Sequence, residues 1–509
     1  MKYILLLLPL LLYSKPIKIA SYNVQNLFDM SLDGSEYRDY IPNQHNWTEE
    51  IVETKLNHTA EVICDVEADI IGLQEVENTH ILERLFKRLN QVGCGYKYST
   101  ITETKKSSIQ VALLSQYPIK SYKSIEVGFG FRDILEVDLD IGGDGLTIFV
   151  THFKAKSRNG VESKRIKSAK VIMRRIDSLP RDREYISLGD FNSDFDEYLH
   201  ITKKLDDTNG TTAINDILQT KINDRLVSRE DMQNSKNKKQ HYSPWQELKP
   251  YQRWSYKFYG RNNTMDNILL SNSMFDGKGL DYVNNSFRVF KMDYLFTNKG
   301  YINRWEYKNS KHTGKGYSDH LPIYAMFDKK PFEANRLRES ITRNIEYLYS
   351  MRELTHKVVL KDIVVIKKSK NSAIIKQNLK GRGVYLFGCA KELKEGYIYD
   401  IVVESIKSYH GLKEVTQIII KKRKKQIDTS LYYKNSIKNL KQNEIIKDIE
   451  GIYDDGYFYT NGDKIALHFR QKKYKPKNNT HIKIEYGRSG YYKGTNLVIE
   501  YKKDFVVLE

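Results

Sequence analysis

Short apolar runs recur through the first two thirds of the chain, and one after another they end in a polar group. Residues 17–24, IKIASYNV, read as a core strand entering a turn, with Asn23 at its end. Residues 68–78, ADIIGLQEVEN, place Ile70, Ile71 and Leu73 in a short buried strand with Gln74 and Glu75 at its carboxyl end. Residues 110–114 form another, closed by the turn 115–118. In residues 146–156, LTIFVTHFKAK, the side chains of Ile148, Val150 and His152 share one side, with Lys154 beyond. Residues 185–196, YISLGDFNSDFD, set Tyr185, Ile186 and Leu188 in a strand and turn at Gly189. Asp190 and Asn192 follow two apart, on one side of an extended backbone. Residues 254–270 return to strands, WSYKFYG and TMDNILL about a turn at 260–263, with Asp266 before the last apolar run. Residues 315–327, KGYSDHLPIYAMF, put Asp319 and His320 just ahead of a final strand.

Between these strands the period lengthens to that of helices. Residues 49–64 turn Ile51, Leu56 and Ile63 to the core, residues 79–89 follow as a second helix, and residues 163–179 form a basic third. Residues 194–240 read as helices and loops, with a polar surface loop at 233–240. Short strands alternating with helices predict an α/β fold of stacked mixed sheets flanked by helices, whose loops converge on a cleft at one edge. Residues 329–355 read as a charged helical linker. From residue 357 only strands follow, broken by polar and Gly-centred turns, which predicts small closed barrels near 356–425 and 440–509. The phrases KSYHGLKEVTQI and GRSGYYKGTNLVIEY are loosely alike, each a strand, a Tyr, a Gly turn and a strand.

Each polar strand end has an ordinary reading when taken alone. Asn23 can cap a turn, Glu75 can cap the helix after it, Arg132 can form a surface ion pair, and Asp190 with Asn192 can make an Asx turn. A carboxylate at the end of a buried strand is nevertheless costly unless it is paired, ion-bound or wet. Solvated turns do not need acid, amide or imidazole at one strand end after another. A carboxylate and an amide aimed together suit a hard divalent ion, which prefers oxygen ligands and shares its shell with phosphate. A His among carboxylates can donate to a phosphate oxygen or pass a proton near neutral pH.

In the order SYNVQNLF, GLQEVEN, THFK, LGDFNSD, TMDNILLS and GYSDHLPI, segment 17–328 resembles the endonuclease/exonuclease/phosphatase superfamily, with its DNase I-like fold. The resemblance implies a four-layered α/β sandwich for that segment. It implies Glu75 as the main metal ligand with Asn23 beside it, and Asp319 holding metal-bound water. His152 would bind phosphate and transfer a proton, while Asp190 and Asn192 would orient the attacking water or leaving oxygen. Asp266 would position His320, the last catalytic His. Arg132 and, less directly, Lys154 would meet the substrate phosphate. The implied cofactor is Mg²⁺ or Mn²⁺, with Ca²⁺ as a structural ion. The chain departs from the pattern at Gln25, where an Arg often follows the first motif, so one phosphate contact is missing or supplied elsewhere. The all-β modules resemble the OB-fold modules attached to secreted bacterial nucleases.

Charge and the N-terminus then narrow the reading. Among 509 residues, 83 Lys and Arg outnumber 64 Asp and Glu, for a net charge of +19, which favours a polyanionic partner. Basic runs fall at 421–425, KKRKK, and 470–477, RQKKYKPK, interleaved with Tyr385, Tyr409, Tyr457, Tyr459, Tyr491 and Tyr492. The opening MKYILLLLPLLLYSKP reads as a secretory signal over residues 1–14, too short to span a bilayer, and predicts a periplasmic or secreted protein. Cys64 and Cys94 read as buried thiols, with pairing as the alternative, and three cysteines exclude a disulfide scaffold. The expected protein is a monomeric, metal-dependent nuclease, cutting DNA and, as a further candidate, RNA, without stable membrane insertion. Its rivals are a phosphomonoesterase or sphingomyelinase-like lipid phosphodiesterase, for which no membrane-facing aromatic hairpin is evident, and a non-catalytic nucleic-acid binder.

Overall fold

The structure is a computed structural model that describes residues 16–104, 107–157, 160–180, 182–234, 237, 239–329, 332, 340–354, 356–409, 411–491 and 494–508. The segment 1–14, read as a signal, lies outside the described residues, as does Tyr492. Contacts divide the chain into two compact units, Met1–Phe290 with Tyr294–Leu337, and Lys291–Asp293 with Arg338–Glu509.

The apolar runs of the first unit become β1 (Ile17–Leu27), β2 (Ile70–Val76), β3 (Tyr98–Ile101), β4 (Gln110–Ser115), β5 (Ile119–Ile125), β6 (Ile134–Ile141), β7 (Asp144–His152) and β8 (Glu184–Asp190). They continue as β9 (Asp266–Leu270), β10 (Asp281–Tyr282), β11 (Arg288–Val289) and β12 (Ile323–Asp328). One sheet is ordered β10-β12-β1-β2-β4-β3, with β11 also on β12, and the other β9-β8-β7-β6-β5. β1 runs parallel to β2 and β7 parallel to β8, while the other pairs are antiparallel. This is a mixed α/β sandwich. Where the sheets meet, a Cβ on Gly72 of β2 would lie 2.3 Å from Leu188 Cδ1 of β8 and 3.1 Å from Val150 Cγ1 of β7. Any larger residue there would have to displace Leu188.

Three helices cover the sandwich: α1 (Glu49–Val66), α2 (Thr79–Gln91) and α3 (Glu162–Asp177). α1 buries Val52, Leu56, Ala60 and Ile63, a stripe at helical spacing, while Ile51, expected towards the core, is half-buried. Asn78 caps α2 by accepting a hydrogen bond from the Ile81 amide at 2.9 Å. Cys64 and Cys94 correct the reading as buried thiols. They are half-buried and form a disulfide, with Cα atoms 5.4 Å apart, joining the last turn of α1 to the loop after α2.

In the second unit, β13 (Ile341–Thr342) and α4 (Ile345–Ser350) precede β14 (Val358–Ser369), β15 (Ser372–Lys376), β16 (Val384–Leu386), β17 (Tyr397–Tyr409) and β18 (Leu412–Gln426). β14-β15-β16-β18-β17 pair in that order, and β17 pairs back to β14, closing a ring. The ring encloses Val365, Ile375, Val384, Leu386, Ile401 and Val415. Ile345 and Leu348 of α4 join the same core, so this part of the expected linker is packed. The remaining strands are β19 (Ile445–Ile446), β20 (Ile449–Asp454), β21 (Tyr457–Thr460), β22 (Asp463–Phe469), β23 (Thr480–Ile484), β24 (Gly487–Tyr491), β25 (Thr495–Ile499) and β26 (Phe505–Val507). They form one sheet ordered β19-β24-β25-β22-β21-β20-β23-β26.

The second sheet repeats the first ring's connectivity. β20-β21-β22-β25-β24 matches β14-β15-β16-β18-β17, and in both the third and fifth strands are parallel. The two similar phrases are the matching fourth-to-fifth hairpins, β17-β18 and β24-β25. Closure differs from the expectation of two barrels. β23 takes the edge of β20 that would pair with the fourth strand, so this sheet stays open.

Candidate active site

Strand register brings the first part of the site together. His152 lies opposite Asp190 in the β7–β8 pair, and Asp266 lies opposite Asp190 in the β8–β9 pair. Three polar groups therefore stand in a row at one end of the second sheet. Within β8, Gly189 has φ +140°, and a Cβ there would lie 2.0 Å from the Thr151 carbonyl oxygen, so glycine alone admits the neighbouring strand at that level. The other sheet supplies Asn23 and Glu75 from bulged ends of β1 and β2. Gln25, Asn26, Glu75 and Asn192 all adopt left-handed backbone, with φ of 53°, 57°, 67° and 46°. Such positions cost roughly 1–3 kcal/mol each and concentrate where a side chain must be re-aimed.

Asn23 ties the two sheets together. Its Nδ2 donates to Glu75 Oε1 at 3.0 Å and to Asp190 Oδ2 at 3.1 Å. Its Oδ1 accepts from the Gln25 amide at 3.0 Å, which fixes the orientation of the side-chain amide. Glu75 Oε2 accepts from the Asn26 amide at 2.9 Å, and Asp190 Oδ1 from the Asn192 amide at 2.8 Å. His152 Nε2 lies 3.4 Å from Asp190 Oδ2 and 3.9 Å from Glu75 Oε1. His320 Nδ1 is 2.9 Å from Asp266 Oδ2, and its Nε2 faces Asp190 Oδ2 at 3.8 Å. Ser255 Oγ donates to the same Asp266 oxygen at 2.5 Å, and the Tyr256 ring sits 4.6 Å from the His320 ring. Above these groups opens a cleft of about 870 Å³, which Arg132, Asp319 and Arg261 also line.

Burial sets the charges. It pushes the carboxyl of Glu75 up, with Asp319 adding to it, and that of Asp190 up to about 7, with Asp266 and Glu75 adding and His320 opposing. His152 is held well below the ordinary imidazole range by burial, then by the charges of Arg132 and His320. In His320 burial acts downward too, but Asp266, Asp190 and Asp319 outweigh it and hold the imidazole well above its ordinary value. The two imidazoles are thus driven in opposite directions.

Crowded carboxylates of this kind call for a cation. Asp266 Oδ1 is buried without a hydrogen-bond partner among the described residues. Asp190, Asp266 and His320 each offer a ligand atom, all within 4.8 Å of one another, a candidate triad for a divalent ion. The donors are mainly hard oxygens, which suit Mg²⁺ or Mn²⁺. The residues present therefore fit the metal.

Most groups read from the sequence converge here: Asn23, Glu75, Arg132, His152, Asp190, Asn192, Asp266, Asp319 and His320. Arg132 Nη1 and Asn192 Nδ2 both donate to the Phe153 carbonyl, at 2.9 and 3.1 Å. Lys154 is placed differently, with its ammonium on the Gly130 carbonyl at 3.2 Å. Gln25 exchanges two hydrogen bonds with the Trp305 backbone, at 3.0 and 3.4 Å, and is not among the residues that line the cleft. Ser255 and Tyr256 escaped the reading because only the fold carries them onto Asp266 and His320. Lys156 also lines the cleft, paired with Glu197 at 2.5 Å and Asp194 at 3.2 Å. The expectation of no aromatic hairpin is corrected. Tyr256–Phe258 and Arg261–Asn263 form a hairpin whose Phe258 and Tyr259 are 55% and 92% exposed.

The family model described as Endonuclease/Exonuclease/phosphatase family matches residues 18–329. Among solved structures, D. rerio TDP2 complexed with single strand DNA product is 15% identical, with TM-score 0.39, covering 62% of this chain and 100% of that one. An endonuclease/exonuclease/phosphatase family protein from Leptotrichia buccalis C-1013-b is 15% identical, with TM-score 0.35, covering 61% and 99%. SmcL is 19% identical, with TM-score 0.37, covering 62% and 99%. The chain matches none of the curated proteins. The family match spans more than half the chain and coincides with the unit that carries the site, so the chain belongs to the endonuclease/exonuclease/phosphatase family, as a divalent-metal-dependent phosphodiesterase.

Proposed function

We propose that this enzyme is exported and hydrolyses DNA, with RNA as a second substrate, with little sequence specificity. The observation that carries the reading is the Asn23 amide bridging Glu75 to Asp190 beneath an open cleft lined by Arg132 and Arg261. An open cleft that offers Arg132 and Arg261 beside carboxylates able to hold a cation suits a long phosphodiester chain. Glu75, with Asn23 and Asp319, would hold the ion, and the Asp190, Asp266 and His320 triad is a second place for it. A divalent ion held there would supply positive charge to a phosphate oxygen and to the charge that develops in the reaction. Asp190 and Asn192 hold the attacking water. Arg132 and His152 meet the phosphate oxygens, and Asp266 keeps His320 turned with Nε2 towards the cleft. The closed ring and the open sheet of the second unit are OB-like modules that hold substrate. Export is supported by the apolar N-terminal run and by the Cys64–Cys94 disulfide, a bond typical of oxidising compartments.

The aromatic hairpin favours a second reading, a lipid phosphodiesterase whose Phe258 and Tyr259 enter a membrane surface. One experiment separates the two. The purified protein is incubated with plasmid DNA, with RNA and with sphingomyelin vesicles, first with Mg²⁺ and then with chelator. Cleavage of DNA that chelator stops is the expected result. Failure to cut either nucleic acid with any divalent ion refutes the proposal, and release of the sphingomyelin headgroup establishes the alternative. Glu75→Gln should raise the Mg²⁺ concentration for half-maximal activity while leaving the fold intact. Near-normal turnover of that variant at low Mg²⁺ would move the metal to the triad.

A further inference from the structure

The second unit contains two copies of one strand order, yet their equivalent outer faces differ. On the closed ring, the outward residues Ile374 of β15 and Tyr385 of β16 are buried together with Val364, Ile366 and Ile445, with Tyr432, Tyr433 and Tyr486 packed against them. Tyr385 is further covered by the Arg488 guanidinium, 4.6 Å from its ring centre. On the open sheet the corresponding face is exposed. β21 alternates strictly, with Phe458 and Thr460 buried and Tyr457 and Tyr459 41% and 38% exposed. β22 alternates likewise, with Ile465, Leu467 and Phe469 buried and Lys464, Ala466 and His468 exposed. Register sets Ile452, itself 48% exposed, beside Tyr459, and Tyr459 beside Lys464.

The two tyrosine rings lie 6.4 Å apart, and Lys464 Nζ stands 5.2 Å from the Tyr457 ring. The basic run 470–477 leaves the end of this same β22 strand, with Arg470, Lys472, Lys473, Lys475 and Lys477 exposed. An aromatic platform edged by cations is the chemistry that stacks unpaired bases and follows their phosphates. A duplex hides its base faces and could use only the cations.

We infer that the β21–β22 face, through Tyr457, Tyr459 and Lys464, binds single-stranded nucleic acid. The first copy cannot do so, because its own face is buried. The inference rests on the reading that nucleic acid is the substrate, and it places the holding surface on a named face of the second unit.

The test measures binding of a labelled oligothymidylate to the full chain by fluorescence anisotropy in chelator, where no cleavage occurs. Tyr457→Ala and Tyr459→Ala should each weaken binding about tenfold, and the double variant more. Lys464→Gln should reduce the slope of log affinity against log salt by about 0.7. Tyr122→Ala, an exposed tyrosine of the first unit, serves as control and should bind as the parent does. Dextran sulfate, a polyanion without bases, should bind the tyrosine variants and the parent equally. Unchanged oligothymidylate affinity in the double variant, with its melting temperature preserved, overturns the inference. Equal losses for dextran sulfate and oligothymidylate overturn it too, since they would mean a charge surface without stacking. A protein that binds through these residues but cuts nothing would instead refute the proposed activity and leave the face in place.

Discussion

Asp266→Asn tests the centre of the site, because it removes a charge and almost no volume. Asp266 Oδ2 receives the His320 ring at 2.9 Å and the Ser255 hydroxyl at 2.5 Å, both in buried surroundings. An amide can keep its oxygen at that position and accept from both groups, but it carries no charge to hold the His320 proton, and its NH₂ falls where Oδ1 is buried without a partner among the described residues. The lost charge is among those that hold His320 above its ordinary value, so the imidazole facing Asp190 no longer keeps its proton as firmly. A carboxylate-to-amide change behind a catalytic His costs ~10⁴ in turnover in the serine proteases. Here the carboxylate orients one of two imidazoles, so a loss of about 10³ is expected, or ~4 kcal/mol of barrier. The assay is turnover of a short phosphodiester as Mn²⁺ is raised to saturation, with thermal melting as the check on folding. The loss should persist at saturating metal, because the carboxylate acts through His320. If excess Mn²⁺ restores turnover to within threefold of the parent, Asp266 is a metal ligand in the triad and the orienting role is refuted.

Other consequences can be measured independently. His152→Ala should lower kcat by roughly 10²-fold, the worth of a proton-transfer or phosphate-binding group, with melting unchanged; a smaller loss would place His152 outside the reaction. Replacing both Cys64 and Cys94 by Ala opens a loop of 30 residues, a loss of about 3.5 kcal/mol, and should lower the melting temperature by roughly 5 °C without touching kcat. Reductant should lower the parent's melting temperature and leave the variant's alone. Burial pushes Lys55 down to about 7, with the ammonium donating to the Tyr317 carbonyl at 2.8 Å. The folded state therefore binds fewer protons than the unfolded one between pH 7 and about 10, so this group's destabilisation is full below pH 7 and fades as pH rises. In urea titrations Lys55→Met should compare best with the parent below pH 7 and lose that advantage by pH 10; a difference independent of pH would refute the assignment.

Much of this arrangement could be read from residues alone, for a physical reason. A buried strand shows as a short apolar run, and a polar group at its end shows as an interruption. Glu75, His152, Asp190 and His320 therefore announced themselves. Groups brought in by non-local packing did not. Ser255 looks like any strand serine until β9 and the loop before β12 meet it, and Gln25 gives no sign that it binds the Trp305 backbone. The Cys64–Cys94 bond depends on how α1 and α2 lie side by side, which spacing does not encode. Strand texture showed that the C-terminal region was β and repetitive. It did not show that β23 would take an edge and leave the second copy open, because edge pairing is decided by neighbours distant in sequence.

Gly72 gives the core an unexpected hold over the chemistry. The site is assembled from two halves that are never covalently adjacent: Asn23 and Glu75 on one sheet, His152, Asp190 and Asp266 on the other. The gap between the halves is set by the thickness of the apolar layer, and at Gly72 that layer is thinned to the limit, just three residues before Glu75. A methyl group placed there would act as a shim. It would lever Glu75 away from Asp190 and stretch the two hydrogen bonds of Asn23 while the sheets still cohered. The packing of this interior and the geometry of the site are thus one quantity, and a variant at Gly72 should move melting and turnover together.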